Sequence, residues 1–152
     1  MQRAMIVLAL MALPTMAMSA PTAMFAPRDA VDPASKAALA ESVRLIEDDR
    51  YCEALPFLED LAVDLPDNAD VFNLLGYVYR KMDDLEVSAA HYARALSIDP
   101  NHLATLEYQG RLFLKQGDLG KAQDNLARLE TLCGACEERE ALKAAIDASL
   151  TQ

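Results

Sequence analysis

Apolar positions in the middle of the chain recur with the period of an amphipathic helix. The offsets 0, 3, 4 and 7 put four residues on one helical face: Phe72, Leu75, Gly76 and Tyr79. The stretch from residue 85 to residue 96 repeats this spacing. The pattern therefore predicts two successive helices rather than strands.

Turn signals separate the predicted helices. Asp83-Asp84 lies between the two stretches and offers a side-chain oxygen to cap the second helix. Asp99-Pro100-Asn101 ends that helix, because proline cannot continue the hydrogen-bond ladder. Gly117-Asp118 provides an equivalent hinge further on, with glycine suited to the left-handed exit from a helix. These signals predict antiparallel helix pairs joined by short turns.

The chain repeats itself every 34 residues. Pro66 and Pro100 are one period apart, as are Gly76 and Gly110. The period divides the chain into units 35–68, 69–102 and 103–136, followed by residues 137–152. One helix pair cannot bury its own apolar face, so about three stacked units are needed for stability. Residues 137–150 have an apolar face of their own and are predicted to form a C-terminal capping helix.

The middle unit resembles a tetratricopeptide repeat. The family pattern of large apolar, Leu-Gly, aromatic, small, aromatic, alanine and proline positions is met by Phe72, Leu75-Gly76, Tyr79, Ser88, Tyr92, Ala95 and Pro100. The third unit keeps most of these positions, and the first unit is the most divergent, with Glu41-Ser42 in place of Leu-Gly. The resemblance implies an all-α fold: a right-handed superhelical stack of three helix pairs plus the capping helix.

The first twenty residues have the layout of a cleaved secretory signal. Arg3 precedes an uncharged apolar run from Ala4 to Leu13, which Pro14 and then small residues interrupt. We predict a signal peptide over residues 1–20, a proline-containing linker over 21–34, and a periplasmic or otherwise exported protein. The alternative is a membrane-tethered scaffold that retains residues 4–26, which carry no charge, as an anchor.

The net charge of the chain indicates which classes of partner it can bind. The chain has 14 basic and 24 acidic residues, a formal net charge of −10. Such a chain is repelled by phosphate backbones and anionic headgroups, so we expect no nucleic-acid partner and, without a retained anchor, no membrane partner. With 53% apolar residues the composition is not that of a disordered acidic tail.

Cys133 and Cys136 lie at the predicted corner between the third unit and the capping helix. In an exported protein we predict that a disulfide joins them. Three alternatives stay open: a redox-active pair, half of a metal site to which His102 could contribute, and two free thiols. Cys52 is unpaired and expected at a solvent-facing turn, and His91 is expected on the solvated outer side of its helix.

The family resemblance implies a concave groove lined by the first helix of each unit. It places fifteen residues there: Lys36, Leu39, Val43, Ile46, Glu47, Asp70, Asn73, Tyr77, Arg80, Lys81, Ala104, Glu107, Arg111, Leu114 and Lys115. Five are basic and three acidic, a local charge of +2 on an acidic chain. The predicted binding residues are Asn73, Tyr77, Arg80, Lys81, Arg111 and Lys115, and the expected partner is a protein or peptide with acidic groups. An ordinary solvated face is the alternative.

These observations predict a non-catalytic protein-interaction module or scaffold without a cofactor or metal. The sequence has no glycine-rich phosphate loop, nucleophile elbow or helical metalloprotease motif. Some family members hold a C-terminal carboxylate with a set of Lys, Asn and Arg residues, of which only Arg111 has the right type here. The alternative functions are a thiol-redox or assembly factor that uses Cys133 and Cys136, and the membrane-tethered scaffold.

Overall fold

A computed structural model describes residues 32–151. Within this range the chain forms helices and no strand: α1 (Pro33–Glu47), α2 (Tyr51–Asp64), α3 (Ala69–Lys81), α4 (Leu85–Ile98), α5 (Leu103–Lys115), α6 (Leu119–Cys133) and α7 (Glu137–Ser149). The predicted all-α stack of helix pairs is confirmed. The predicted signal peptide and most of the predicted linker lie outside the described residues. None of the helices in the described range has the length and apolar character needed to span a membrane.

The helix starts repeat the 34-residue period of the sequence. The second helices of the three pairs begin at residues 51, 85 and 119, and α3, α5 and α7 begin at 69, 103 and 137. Helix α7 thus occupies the place of the first helix of a fourth unit. Lys143 takes the place that the buried Leu75 has in α3, and Asp147 takes that of Tyr79. Because this side of α7 is polar, it can face water without a further helix to cover it, as a capping helix does.

Side-chain caps fix where the helices begin. Five residues accept a hydrogen bond from a backbone N–H of the helix that follows: Asp32, Asn68, Asp84, His102 and Asp118. Asp32 receives N–H groups from Ala34 and Ser35, and Pro33 occupies the first helical position. Because of this cap, α1 begins two residues before the boundary predicted at residue 35.

The turn inside each helix pair uses a left-handed backbone conformation at the same point of the repeat. The residue there has φ of 56° at Asp49, 68° at Asp83 and 77° at Gly117. Aspartate tolerates this region better than most residues with a side chain, because its short carboxylate interacts locally with the backbone. The period therefore preserves the turn even where glycine is absent.

Helices α3 and α4 approach closely at Gly76. A Cβ atom added there would lie 2.5 Å from Cδ1 of Tyr92, whose side chain is fully buried. The Ser88 hydroxyl donates a 2.7 Å hydrogen bond to the Gly76 carbonyl, which ties the two backbones together. Small residues at 76 and 88 and the ring at 92 therefore form one packing unit.

In the third pair, the glycine at the equivalent position packs against a residue of α7 instead of a residue of its own pair. A Cβ atom on Gly110 would lie 2.6 Å from both methyl carbons of Leu142, which belongs to α7. Phe113, one period after Tyr79, is only partly buried, and Leu142 contributes the contact at Gly110. The capping helix is therefore part of the core of the third unit.

Two arginines join successive units at their outer ends. Arg94 donates to the carbonyl of Pro66 at 2.7 Å, and Arg128 donates to the carbonyl of Pro100 at 2.6 Å. Donors and acceptors are both 34 residues apart, so this contact is itself repeated. Both carbonyls lie in turns between successive units, so each bond joins one unit to the next and supports their stacking.

Candidate functional site

The first helix of each unit, together with α7, forms the inner face of the stack, and α3 lies near its middle. Three tyrosines from different helices meet there. The ring centroids of Tyr77 and Tyr51 are 6.4 Å apart, and those of Tyr77 and Tyr108 are 5.1 Å apart with a tilt of 57°. Such tilted contacts between rings are favourable beyond their buried area. Tyr77 was predicted in the groove, whereas Tyr51 and Tyr108 were not.

Two of the predicted cations lie against this row of tyrosines. The Arg80 guanidinium carbon is 5.2 Å from the centre of the Tyr77 ring and 5.8 Å from that of Tyr108. The Lys81 ammonium is 5.4 Å from the centre of Tyr51 and 5.8 Å from that of Tyr77. Each cation is held by the negative faces of two rings. The structure thus brings Tyr77, Arg80 and Lys81 together.

The other predicted cations are paired with acidic side chains. Lys115 donates to a carboxylate oxygen of Asp83 at 2.7 Å. Arg111 donates to Glu107, one helical turn before it on α5. Glu107 is already counted in the local charge of +2 that the sequence predicted for the groove, so Asp83 is the added acid and lowers the excess to +1. Lys115 and Arg111 therefore contribute less positive field to the inner face than their number suggests.

Glu107 is the buried carboxylate of the inner face. Only 5% of its surface is exposed, and desolvation raises the pKa of its carboxyl, an effect that its hydrogen bond with Arg111 opposes. Arg80 and Arg111 both act on it electrostatically. Of these two guanidinium groups, only that of Arg111 is within ion-pair distance of Glu107.

Asn73 and Asn125 are the two buried amide side chains in the described range, and they differ in their hydrogen bonds. It is 6% exposed, and its Oδ1 atom has no hydrogen-bond partner. Asn125 is buried to a similar degree, but its Nδ2 donates to the carbonyl of Leu106 at 3.0 Å and to Oε1 of Gln109 at 3.1 Å. A buried amide without a partner carries a desolvation cost that a bound hydrogen-bonding group would remove.

Asp70, which was predicted in the groove, is committed to a contact with His102, the residue that caps α5. Its carboxylate is 2.9 Å from Nε2 of His102, and this contact raises the pKa of His102 and lowers that of Asp70. The other ring nitrogen of His102 accepts the backbone N–H of Thr105 at 3.2 Å and so caps α5. Both ring nitrogens are thereby used. In residues 32–151 no group of three or more His, Cys, Asp or Glu side chains is arranged to hold a metal ion.

The thiols of Cys133 and Cys136 meet at the corner between α6 and α7. Their sulfur atoms are 2.01 Å apart, their Cα atoms are 5.6 Å apart, and Gly134 between them has φ of 66°. Cys52 is exposed at the start of α2. The chain geometry is compatible with the predicted disulfide, and the redox state of the pair stays a prediction.

The sequence analysis expected His91 on a solvated surface, but the structure places its ring against two aromatic side chains. Its ring stacks on Tyr79 with centroids 5.3 Å apart and planes within 9°, and it also lies 6.3 Å from Phe72. Burial of this half-buried ring lowers the pKa of His91. The expectation was wrong because the partly buried rings at 72 and 79 extend to the side of α4 that the repeat register assigned to solvent.

The fold and the inner face together define a helical-repeat protein. The family model of the tetratricopeptide repeat matches residues 69–102. The uncharacterized protein ycf37 of Guillardia theta is 32% identical over 56 residues, which cover 37% of this chain and 32% of that relative's length. Two peptide complexes have the same fold, each with a TM-score of 0.69 over 80% of this chain.

The first of these complexes is the Yersinia enterocolitica type III secretion chaperone SycD with a peptide of the translocator YopD. It is 16% identical, and the match covers 92% of SycD. The second is the first tetratricopeptide repeat domain of Spaghetti (RPAP3) bound to the HSP90 peptide SRMEEVD, 15% identical with 98% of that chain covered. At these identities the likeness shows the fold. Residues 69–102 match the tetratricopeptide repeat, as the sequence predicted for the middle unit, and the described helices have the fold of such repeats.

Proposed function

We propose that this protein is an exported, non-catalytic interaction module that binds an extended segment of a partner protein across the inner faces of α3 and α5. The observation that carries the proposal is the buried Asn73 amide, whose Oδ1 has no partner within the protein. A peptide backbone offers the N–H donor that this oxygen lacks. Tyr77, beside Asn73 on the same helical face, adds a ring for contact with the segment.

The structural neighbours support this use of the fold. SycD and the Spaghetti domain were both solved with peptides of partner proteins, and the HSP90 peptide SRMEEVD carries three acidic residues. The cations around Tyr77 suit an acidic partner in the same way. Protein binding alone, without a cofactor, accounts for the residues on the inner face.

Photocrosslinking tests the proposed surface. With p-benzoylphenylalanine in place of Tyr77, we expect irradiation to attach a defined partner from the protein's own exported fraction. The same probe in place of Ala93, exposed on α4, should give no such product. Asn73→Ala should reduce the yield at position 77, because the partner then loses its contact with the amide. Equal products from positions 77 and 93 would contradict binding at the inner face.

Asn125 provides the matched control for this variant. Asn73→Ala removes a side chain with an unbonded oxygen, so we expect little change in the free energy of unfolding of the unbound protein. Asn125→Ala leaves its partners on α5 without a donor and should destabilise the protein by about 1–3 kcal/mol without a specific effect on crosslinking. Urea unfolding of both variants separates loss of binding from loss of folding.

Export and a Cys133–Cys136 disulfide form the second part of the proposal, because the predicted signal peptide would deliver the chain to an oxidising compartment. We expect protein purified from its natural host to lack about the first twenty residues. Before reduction, an alkylating reagent should label only the exposed Cys52, and after reduction all three cysteines. Labelling of all three without reduction would exclude the disulfide, and an N-terminus that retains residues 4–26 would favour the membrane-tethered alternative.

A further inference from the structure

Among the four predicted binding cations, Arg80 is the one without an ion-pair partner in the described part of the chain. No carboxylate oxygen of residues 32–151 lies within 4.0 Å of its guanidinium. Its protein contacts are the faces of Tyr77 and Tyr108 and, through Nε at 3.4 Å, the hydroxyl of Tyr92. A partly buried guanidinium without an anionic partner is unfavourable unless a ligand supplies one.

The contacts of Arg80 restrict its side chain without using its full hydrogen-bonding capacity. The guanidinium carbon lies 5.2 Å and 5.8 Å from the centres of two rings, and only Nε has a hydrogen-bond acceptor in the described part of the chain. The terminal nitrogens form the edge that binds a carboxylate in a forked, two-bond geometry. The rings therefore hold the donor group in place before a ligand arrives, which lowers the entropy lost on binding.

The surrounding charges favour an anion at this point. Arg80 and Arg111 both act electrostatically on the buried carboxylate of Glu107, and only Arg111 is ion-paired with it, so the charge of Arg80 is not neutralised by that carboxylate. The other nearby acid that acts on Glu107 is Glu138, at the first turn of α7. Every second helix of the stack runs in the same direction, so Glu138 lies toward the opposite edge of the inner face from Arg80, which is in the last turn of α3.

We infer that Arg80, held beside the rings of Tyr77 and Tyr108, binds one carboxylate of the partner segment, from a glutamate or aspartate side chain. The inference rests on the proposed function and names the feature that this groove selects. Arg80 is not among the positions of the carboxylate-holding set of the family, so the site differs from recognition of a C-terminus by that set. The two rings contact the apolar part of the bound side chain while the guanidinium binds its oxygens.

A peptide-binding measurement with isosteric probes tests the inference. The probes are short fluorescein-labelled peptides of alanine, leucine and serine with one glutamate, and an otherwise identical set with glutamine. By fluorescence anisotropy we expect the whole protein to bind the glutamate set at least about tenfold more tightly. Arg80→Gln should abolish this difference. Lys121→Gln, on the exposed surface of α6, changes the net charge equally and should leave the difference intact.

The outcomes separate this site from the proposed function. Equal affinity for the two sets, binding of neither set, or a glutamate preference that persists in Arg80→Gln would each overturn the carboxylate site. If the protein with the probe at position 77 still captures its partner in those cases, the interaction module stands. Arg80→Lys keeps the charge but loses the fork, and it should retain only a small part of the preference. Circular dichroism confirms that the variants are folded.

Discussion

Gly76→Leu is expected to destabilise the protein by about 3 kcal/mol through overpacking. The added Cβ would lie 2.5 Å from Cδ1 and 2.6 Å from Cε1 of Tyr92. This ring is fully buried, so it cannot move without displacing its neighbours. Moving α4 away would break the bond between the Ser88 hydroxyl and the Gly76 carbonyl. Leucine forms helix better than glycine by about 0.8 kcal/mol, which offsets only part of the cost. Urea unfolding monitored by circular dichroism measures the effect.

Gly120→Ala is the control for this prediction. Gly120 is also helical, but the nearest heavy atom to an added Cβ is a carboxylate oxygen of Asp118 at 3.7 Å. We expect Gly120→Ala to be neutral or to stabilise by up to about 1 kcal/mol, since alanine loses less backbone entropy. A Gly76→Leu protein with the stability of the natural chain would mean that α3 and α4 do not approach as described.

The second large effect is expected where α7 packs on α5. Leu142→Ala should cost about 3 kcal/mol, because it removes a fully buried side chain and leaves a cavity beside Gly110. Gly110→Ala alone should also destabilise, by about 1–2 kcal/mol, since its Cβ would meet the Leu142 methyl groups at 2.6 Å.

The double variant makes this contact measurable. With Leu142 truncated, the alanine at position 110 fills part of the cavity, so the double variant should be more stable than the sum of the single effects predicts, by about 1 kcal/mol or more. Gly120→Ala combined with Leu142→Ala should be additive, because those sites do not touch. Strict additivity for Gly110→Ala and Leu142→Ala would show that α7 does not pack on α5 through these residues.

Arg80 illustrates how far the sequence could predict the candidate site. The family resemblance implied the groove, and the repeat register placed Arg80 on it because residues that share a helical face can be read from spacing along the chain. Four of the five groove cations were predicted to bind the partner together. Lys115 and Arg111 are paired with Asp83 and Glu107, and these pairings depend on side-chain geometry that spacing does not contain.

The tyrosine row was missed for a related reason. Tyr51, Tyr77 and Tyr108 occupy three different positions of the 34-residue period and come from three helices. No sequence signal within one repeat connects them, since their contact arises from the angle at which neighbouring units stack. The sequence also could not predict that Asn73 is buried with an unpaired Oδ1 atom. Its hydrogen-bond partners depend on the positions of the neighbouring helices.

The sequence by itself determined the helices, their pairing and their period. Helical spacing, caps and turn residues act between neighbours in the chain, so they can be identified from the sequence. It also placed Gly76 and Gly110 one period apart. Only the tertiary structure decided which side chain packs against each of these glycines, which groove cations are neutralised and which polar group lacks a partner. Those outcomes depend on distances between residues far apart in the chain, which packing of whole helices sets.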